Sequence, residues 1–313
     1  MDTPTTDADI RVLRYYVAVA EHLSFTRAAQ ELFLSQPSLS RQIQRLESDL
    51  GVRLFVRSGG RQAVRLTAAG ESLLPAAHRI VDDWRQAVRE VRTSEAARKQ
   101  LLRIGFVATG AGPLGRRARA VFATDHPEIT VEPKRFDWGG EAEALRQGLA
   151  DAAFVWLPTD LSGLHAQVVA TESRWVAMPV THPLAAAGGD AVSIMDLRDE
   201  PLMWTRKAPR EWVDWWAVNP RPDGSTPLWG PENDNVEEML EHVATAEAVC
   251  LGAESMAGYY THPELTWRRV ADIEPLRIAI AWPHGRTNPL VRAFVDTVTD
   301  LARENRTVGT EDL

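Results

Sequence analysis

Two stretches of the chain hold side chains whose types and spacing could do chemistry. The first holds Gln36, Pro37, Ser38, Ser40, Arg41, Gln42 and Arg45. Apart from Pro37, these are hydrogen-bonding and cationic groups of the kind that reach base edges and phosphates in a DNA groove. The second holds Gly110, Gly112 and Gly115, a literal G-x-G-x-x-G behind an apolar run, with Asp137 about twenty residues further on. That pattern can seat a pyrophosphate on helix N-terminal N–H groups and a ribose hydroxyl on the carboxylate. Pro113 removes one of those N–H groups. A nucleotide-cofactor protein or enzyme is therefore the rival expectation to a DNA-binding protein.

Other chemistry has little to build on. GAESMAG around Ser255 is not the G-x-S-x-G elbow of hydrolases, because Ala253 precedes the serine by two. The eight His are scattered, three of them in His-Pro pairs, and no Cys/His cluster with metal-ligand spacing exists. Cys250 is the single cysteine and sits in the apolar run AVCLG, so it reads as a small buried hydrophobe. No catalytic residue, metal ligand or cofactor is expected, and the chain is read as not an enzyme.

The first candidate group needs a helix to present it. Ser35 is a good N-cap, Pro37 fits the first turn, and Gly51 is a natural C-terminal stop. Between them Leu39, Ile43, Leu46 and Leu50 form an apolar face, with the polar group opposite. A preceding helix is expected with Thr26 as its cap and Ala28, Ala29, Leu32 and Phe33 buried. Ile10, Leu13, Tyr16, Val17 and Ala20 make an earlier helical stripe. Two helices about a short turn, the second polar and basic outside, read as a helix-turn-helix. VRLFVRSGGRQAVRLT then reads as a hairpin turning at Ser58-Gly59-Gly60. Its Arg57, Arg61 and Arg65 are candidates for phosphate contacts. Leu73, Leu74, Ala77, Ile80, Val81, Trp84, Val88 and Val91 recur at helical spacing, and Thr67 can cap that long helix. SEAARKQ at 94–100 reads as a polar hinge. From Leu101 strands alternate with helices, which implies a parallel α/β sheet.

Composition fits this division. The chain has 313 residues, 44% hydrophobic and 25% charged, with net charge −8. Residues 1–66 carry nine Arg against seven Asp or Glu, a net +2 that leaves −10 for the rest. A mildly basic module joined to an acidic one suits a nucleic-acid reader attached to a different kind of domain. No apolar run approaches a membrane span, and MDTPTTDAD is unlike a secretory signal, so a cytoplasmic location is expected.

The run S-F-T-x-A-A-x-x-L-x-x-S-Q-P-S-L-S-x-Q-I-x-x-L-E-x-x-L-G-x-x-L-F-x-R, followed by L-T-x-A-G, resembles the DNA-binding domain of LysR-type transcriptional regulators. The resemblance implies a winged helix-turn-helix over 1–66, a dimerising linker helix over 67–97 and an effector-binding domain over 98–313. That last domain is similar to a periplasmic binding protein. It has one subdomain at about 101–171 plus 276–305 and a second at about 172–275, with ligand in the cleft between them. The resemblance places Thr109, Gly110 and Ala111 on the first cleft loop and Trp138 and Gly139 on the second. Trp204, Thr205, Arg206 and Gly252 lie opposite them. Arg206 would pair with a carboxylate. Trp138 stands where the family often has a small polar residue, and with it these residues favour a small, planar or aromatic, anionic effector. Trp212, Trp215 and Trp216, together on one helix, read as packing. The implied partners are double-stranded operator DNA in inverted repeat, the effector, and a second copy in a homodimer or homotetramer. RNA polymerase is also admitted as a partner, and no membrane is.

Overall fold

A computed structural model of the chain describes residues 9–56, 64–186, 191–285 and 288–308. The chain divides into two compact units, residues 1–88 and 89–313. Their boundary falls inside the long linker helix, which the sequence reading had set apart as a segment of its own.

In the first unit α1 (Ile10–His22) starts from Asp9, whose carboxylate accepts the Arg11 N–H. α2 (Phe25–Glu31) is capped by Ser24 rather than the expected Thr26, at 3.3 Å from the Arg27 N–H. α3 (Gln36–Leu50) begins and ends as its sequence demands, with Ser35 capping and Gly51 left-handed at φ 69°. Tyr16, Leu39, Ile43 and Leu54 are buried between these helices. Phe33, expected on the buried face of α2, is 70% exposed. The helix ends at Glu31, so Phe33 leaves the helical spacing and turns outward at φ 53°.

β1 (Phe55–Val56) and β2 (Arg65–Leu66) pair antiparallel as the base of the hairpin. Its turn, with Arg57 and Arg61, lies outside the described residues. α4 (Ala68–Arg98) follows, running through the stretch read as a hinge. Two contacts seat its start. A Cβ on Gly70 would lie 2.3 Å from the Leu54 carbonyl oxygen, so the position requires glycine. Thr67 Oγ1 donates to the Arg53 carbonyl at 2.6 Å and accepts the Gly70 N–H at 3.0 Å. Glu47 is buried and accepts the N–H groups of Leu54 and Phe55, while Arg53 pairs with it at 3.1 Å. The hairpin is thereby tied to α3.

The second unit runs β3 (Leu101–Phe106), α5 (Gly112–Asp125), β4 (Thr130–Arg135), α6 (Glu141–Arg146), β5 (Ala152–Leu157), β6 (Leu164–Glu172) and β7 (Arg174–Pro179). It continues with α7 (Pro183–Ala186), β8 (Ala191–Val192), a 3-10 turn at Ile194–Leu197, β9 (Leu202–Trp204), α8 (Arg210–Ala217) and β10 (Trp229–Glu232). α9 (Val236–Ala244), β11 (Cys250–Ala253), α10 (Glu254–Tyr259), β12 (Leu265–Val270), β13 (Leu276–Pro283) and α11 (Pro289–Val308) complete it. One sheet has the order β4-β3-β5-β13-β6 and a second the order β11-β7-β12-β8. β3, β4 and β5 are parallel, as strands separated by helices should be. β13 alone runs antiparallel to them, between β5 and β6, with the chain leaving the first sheet after β6 and returning along β13. The C-terminal half of α4 belongs to this unit: Arg89 donates to the Arg146 carbonyl at 2.7 Å, and Arg92 to that of Gln147. No helix among the described residues is long and apolar enough to cross a membrane.

Glu141 opens α6 yet is buried, and burial pushes its carboxyl up to about 7 against the opposing effect of backbone hydrogen bonds. The folded protein therefore holds this proton more tightly than the unfolded chain does. Its stabilising contribution is complete below the ordinary value of 4.5 and is lost as pH rises through about 7. Glu141→Gln is expected to become progressively more stable relative to the parent between about pH 5 and pH 8, by on the order of 2–3 kcal/mol. Thermal denaturation of both proteins across that range checks this; a pH-independent difference would contradict it.

Candidate functional site

The polar group on α3 forms one continuous surface. Gln36, Pro37, Arg41 and Arg45 are exposed and Ser38, Ser40 and Gln42 half-buried, while Leu39, Ile43 and Leu46 point into the core. The 3.6-residue period places every one of the sequence-selected residues off the packed side. Arg45 lies 4.0 Å from Asp49, a loose pair that leaves the guanidinium largely in solvent. Arg65, on β2, is exposed.

The residues selected for a cleft come together differently. Trp138 is buried, its indole N–H donating to Asn233 Oδ1 at 2.6 Å and its backbone N–H to the Asp234 carbonyl at 3.2 Å. Lys207 Nζ bridges Asp234 at 2.6 Å and Asp137 at 3.4 Å. A Cβ on Gly139 would come within 2.9 Å of Ala208. Together these contacts clasp the loop after β4 to the loops after β9 and β10. Beneath the clasp is a cavity of about 50 Å³ walled by Trp138, Trp156, Trp204, Trp212, Trp216, Met203, Thr205 and Cys250. Trp212 and Trp216, read from the sequence as packing, are thus cavity wall, and only Trp215 of the three lies outside it. A hollow that holds benzene is about 150 Å³, so the clasp must loosen to admit a ring.

Arg174 supports this wall. It is buried, its guanidinium 4.2 Å from the Trp215 ring, and it donates to the carbonyls of Trp216 at 2.5 Å and Trp215 at 3.2 Å. It thereby satisfies the end of α8. Neither Arg174 nor Asn233 stood out in the sequence. The only signal for Asn233 is its place in the long polar stretch WGPENDN, and a strand-leading arginine carries none.

The remaining selected residues fall elsewhere. Thr109, Gly110 and Ala111 line a second hollow. Arg206 lines neither; it pairs with Glu232 at 2.7 Å beside the Trp204 ring. Gly252 is a packing position, where a Cβ would meet Trp267 at 2.9 Å. The G-x-G-x-x-G loop is also occupied by packing. A Cβ on Gly112 would lie 3.1 Å from Ser255, and one on Gly115 would lie 3.2 Å from Phe154. Thr109 Oγ1 meets Ser255 Oγ at 2.6 Å, and the Gly110 carbonyl accepts the Trp156 indole N–H at 2.7 Å. These glycines serve close approach inside the domain, and Asp137 is taken by Lys207, which removes support for the nucleotide alternative. Burial pushes the Cys250 thiol up to about 12, so it is neither nucleophile nor ready redox sensor. Among the described residues no group of side chains could hold a metal ion.

Two family profiles match the chain. The LysR substrate binding domain covers residues 95–303, and the bacterial regulatory helix-turn-helix protein of the lysR family covers residues 10–71. The HTH-type transcriptional regulator AlsR of Bacillus subtilis is 28% identical over 92% of this chain and 94% of its own length. The HTH-type transcriptional regulator BenM of Acinetobacter baylyi is 32% identical over 78% of this chain and 79% of its own. The crystal structure of full-length BenM superimposes with a TM-score of 0.54 at 26% identity, covering 95% of this chain and 98% of that one.

The clasp makes a direct prediction. Asn233→Ala leaves a buried indole donor unsatisfied, at a cost of about 1–3 kcal/mol. The variant should melt earlier than the parent and show a red-shifted tryptophan emission as water reaches Trp138. An unchanged melting temperature and spectrum would refute the role given to this bond.

Proposed function

Because this chain belongs to the LysR family and is a ligand-responsive transcriptional regulator, we propose that it binds an inverted-repeat operator as a homodimer or homotetramer and changes its grip when a small planar effector enters the tryptophan cavity. The observation that carries the DNA half is the exposed face of α3. Gln36, Ser38, Ser40 and Arg41 face the bases or nearby phosphates, with Pro37, Gln42 and Arg45 beside them, while Arg57, Arg61 and Arg65 serve the flanking backbone. Arg41→Ala should weaken binding to an operator fragment, recovered by genome-wide binding-site mapping, by about tenfold or more at fixed salt. Fluorescence anisotropy measures it, and circular dichroism controls for folding. Unaltered affinity would count against this face.

Pairing rests on α4. Ile80 is 47% exposed, Trp84 55% and Val91 70%, an apolar stripe left exposed on one helix among the described residues. A second copy of α4 would cover it and would set two recognition helices on paired half-sites. Trp84→Asp is expected to shift sedimentation toward the monomer and to reduce operator affinity with it; an undisturbed oligomer would exclude this stripe as the interface.

The effector half rests on the indoles. Flat aromatic walls favour a planar ligand. Trp216, on the cavity wall, has a buried indole N–H without an acceptor among the described residues, which suits a carboxylate or other oxygen on the ligand. Aromatic acids should therefore quench or shift the intrinsic fluorescence, and Trp216→Phe should weaken them. A panel without any spectral response would sink the reading. Ligand entry requires the clasp to loosen, so the effector stabilises the opened state only through tighter binding to it.

A further inference from the structure

Arg221 lies in the tight turn that follows α8, where its backbone N–H donates to the Ser225 carbonyl at 2.8 Å. Its side chain is buried, at 2% exposure, and none of its three guanidinium nitrogens has an acceptor among the described residues. Arg174, at the start of β7, is equally buried, and its Nε also lacks an acceptor there. The two lie near enough for their charges to oppose each other. We propose that Arg221 and Arg174 bind a halide ion, chloride, beside the C-terminal end of α8.

A buried cation must be paired or hydrogen-bonded, and a guanidinium keeps its charge at neutral pH. Arg174 meets part of that demand through the carbonyls of Trp215 and Trp216 and the face of the Trp215 ring. The Arg221 guanidinium has no hydrogen bond of this kind. Burial holds it below the usual range, against the pull of Asp223. Asp223 is itself engaged: it accepts the N–H and hydroxyl of Ser225 and pairs with Arg198 at 3.4 Å. Glu274 pulls on Arg174 and also accepts the Trp215 indole N–H at 3.4 Å. One carboxylate facing two guanidiniums leaves a single positive charge uncompensated, which calls for a monovalent anion.

Size and shape select a halide. With both arginines almost wholly buried, the ligand must be small. The donors belong to two segments, β7 and the turn after α8. A planar carboxylate pairs best with one guanidinium fork, whereas a spherical ion accepts from any direction. None of Arg174, Arg221 and Glu274 lines the tryptophan cavity, so this site is distinct from it, although α8 supplies residues to both. The ion ties the turn after α8 to β7 and thereby steadies the wall that carries Trp212 and Trp216. The proposal does not depend on the effector reading above, and its test distinguishes the two.

Thermal denaturation of the full-length chain at constant ionic strength, with chloride, bromide or acetate replacing gluconate, decides it. Chloride and bromide should raise the melting temperature by about 2–5 °C, saturating well before the replacement is complete, while acetate should match gluconate. Arg221→Met, which removes the buried charge and keeps the apolar stem, should lose the halide shift and melt in gluconate no lower than the parent. Arg221→Lys should keep part of the shift. Because these variants alter a buried position, a second measurement uses the parent alone. Anomalous diffraction from bromide-soaked crystals should place an ion against the Arg221 guanidinium. Five outcomes would overturn the proposal. They are equal melting in chloride and gluconate, a shift that grows linearly with chloride without saturating, a shift of the same size with acetate, a shift retained in Arg221→Met, or no bromide peak at Arg221. A shift lost in Trp216→Phe but kept in Arg221→Met would move the ion into the tryptophan cavity.

Discussion

An indole buried away from water must find an acceptor for its N–H or forfeit the cost of desolvation, about 1–3 kcal/mol. That requirement organises the C-terminal unit. Trp138 reaches Asn233, Trp156 reaches the Gly110 carbonyl, and Trp204 reaches the Gly230 carbonyl. The Trp138 bond crosses from the loop after β4 to the segment after β10, while the other two fix β5 to the loop after β3 and β9 to β10. The buried indole N–H of Trp216 has no acceptor among the described residues.

The N-terminal unit depends on a different constraint, the approach of one backbone to another. Gly70 lets α4 begin against the Leu54 carbonyl, and Tyr16 then donates its hydroxyl to the Gly70 carbonyl at 2.5 Å. Glu47 reaches from α3 to the same segment and binds two of its backbone N–H groups. The recognition helix, the hairpin and the long helix are therefore fixed to one another at a single short stretch, Arg53–Phe55. That rigidity matters to the proposed function, because the spacing between the residues proposed to read DNA and the helix proposed to pair them would set the spacing of the half-sites.

In the cleft, closure and small volume come from the same contacts. Lys207 with Asp137 and Asp234, Gly139 against Ala208, and Thr109 with Ser255 bring opposing loops together. Gly112 and Gly139 make close approaches across the closed loops, to Ser255 and Ala208, while Gly110 and Gly115 pack on Phe106 and Phe154. Cations follow a different distribution. None lines the tryptophan cavity, whereas three arginines gather at the neighbouring hollow.

Local rules were enough for the first unit. Caps, the 3.6-residue period and the stop at Gly51 are short-range effects, and they placed α3 and its polar face with no knowledge of the fold. The small corrections there, Ser24 for Thr26 and the outward Phe33, came from a helix that starts at Phe25 and ends at Glu31, before its last apolar residues. The alternation of strands and helices likewise announced the α/β unit, whereas its division between two sheets was implied only by the family resemblance. Tertiary structure alone decided the site. Trp138 with Asn233 are 95 positions apart, and Thr109 with Ser255 are 146 apart. No periodicity encodes such partners, because they depend on how two sheets close. For the same reason Trp212 and Trp216 could be read only as helix packing until the opposing loops gave them a cavity to wall. Arg206, chosen for its charge, proved to be engaged by Glu232 on the neighbouring strand. The sequence names the groups capable of chemistry; the long-range closure of the cleft determines which of them remain unpaired.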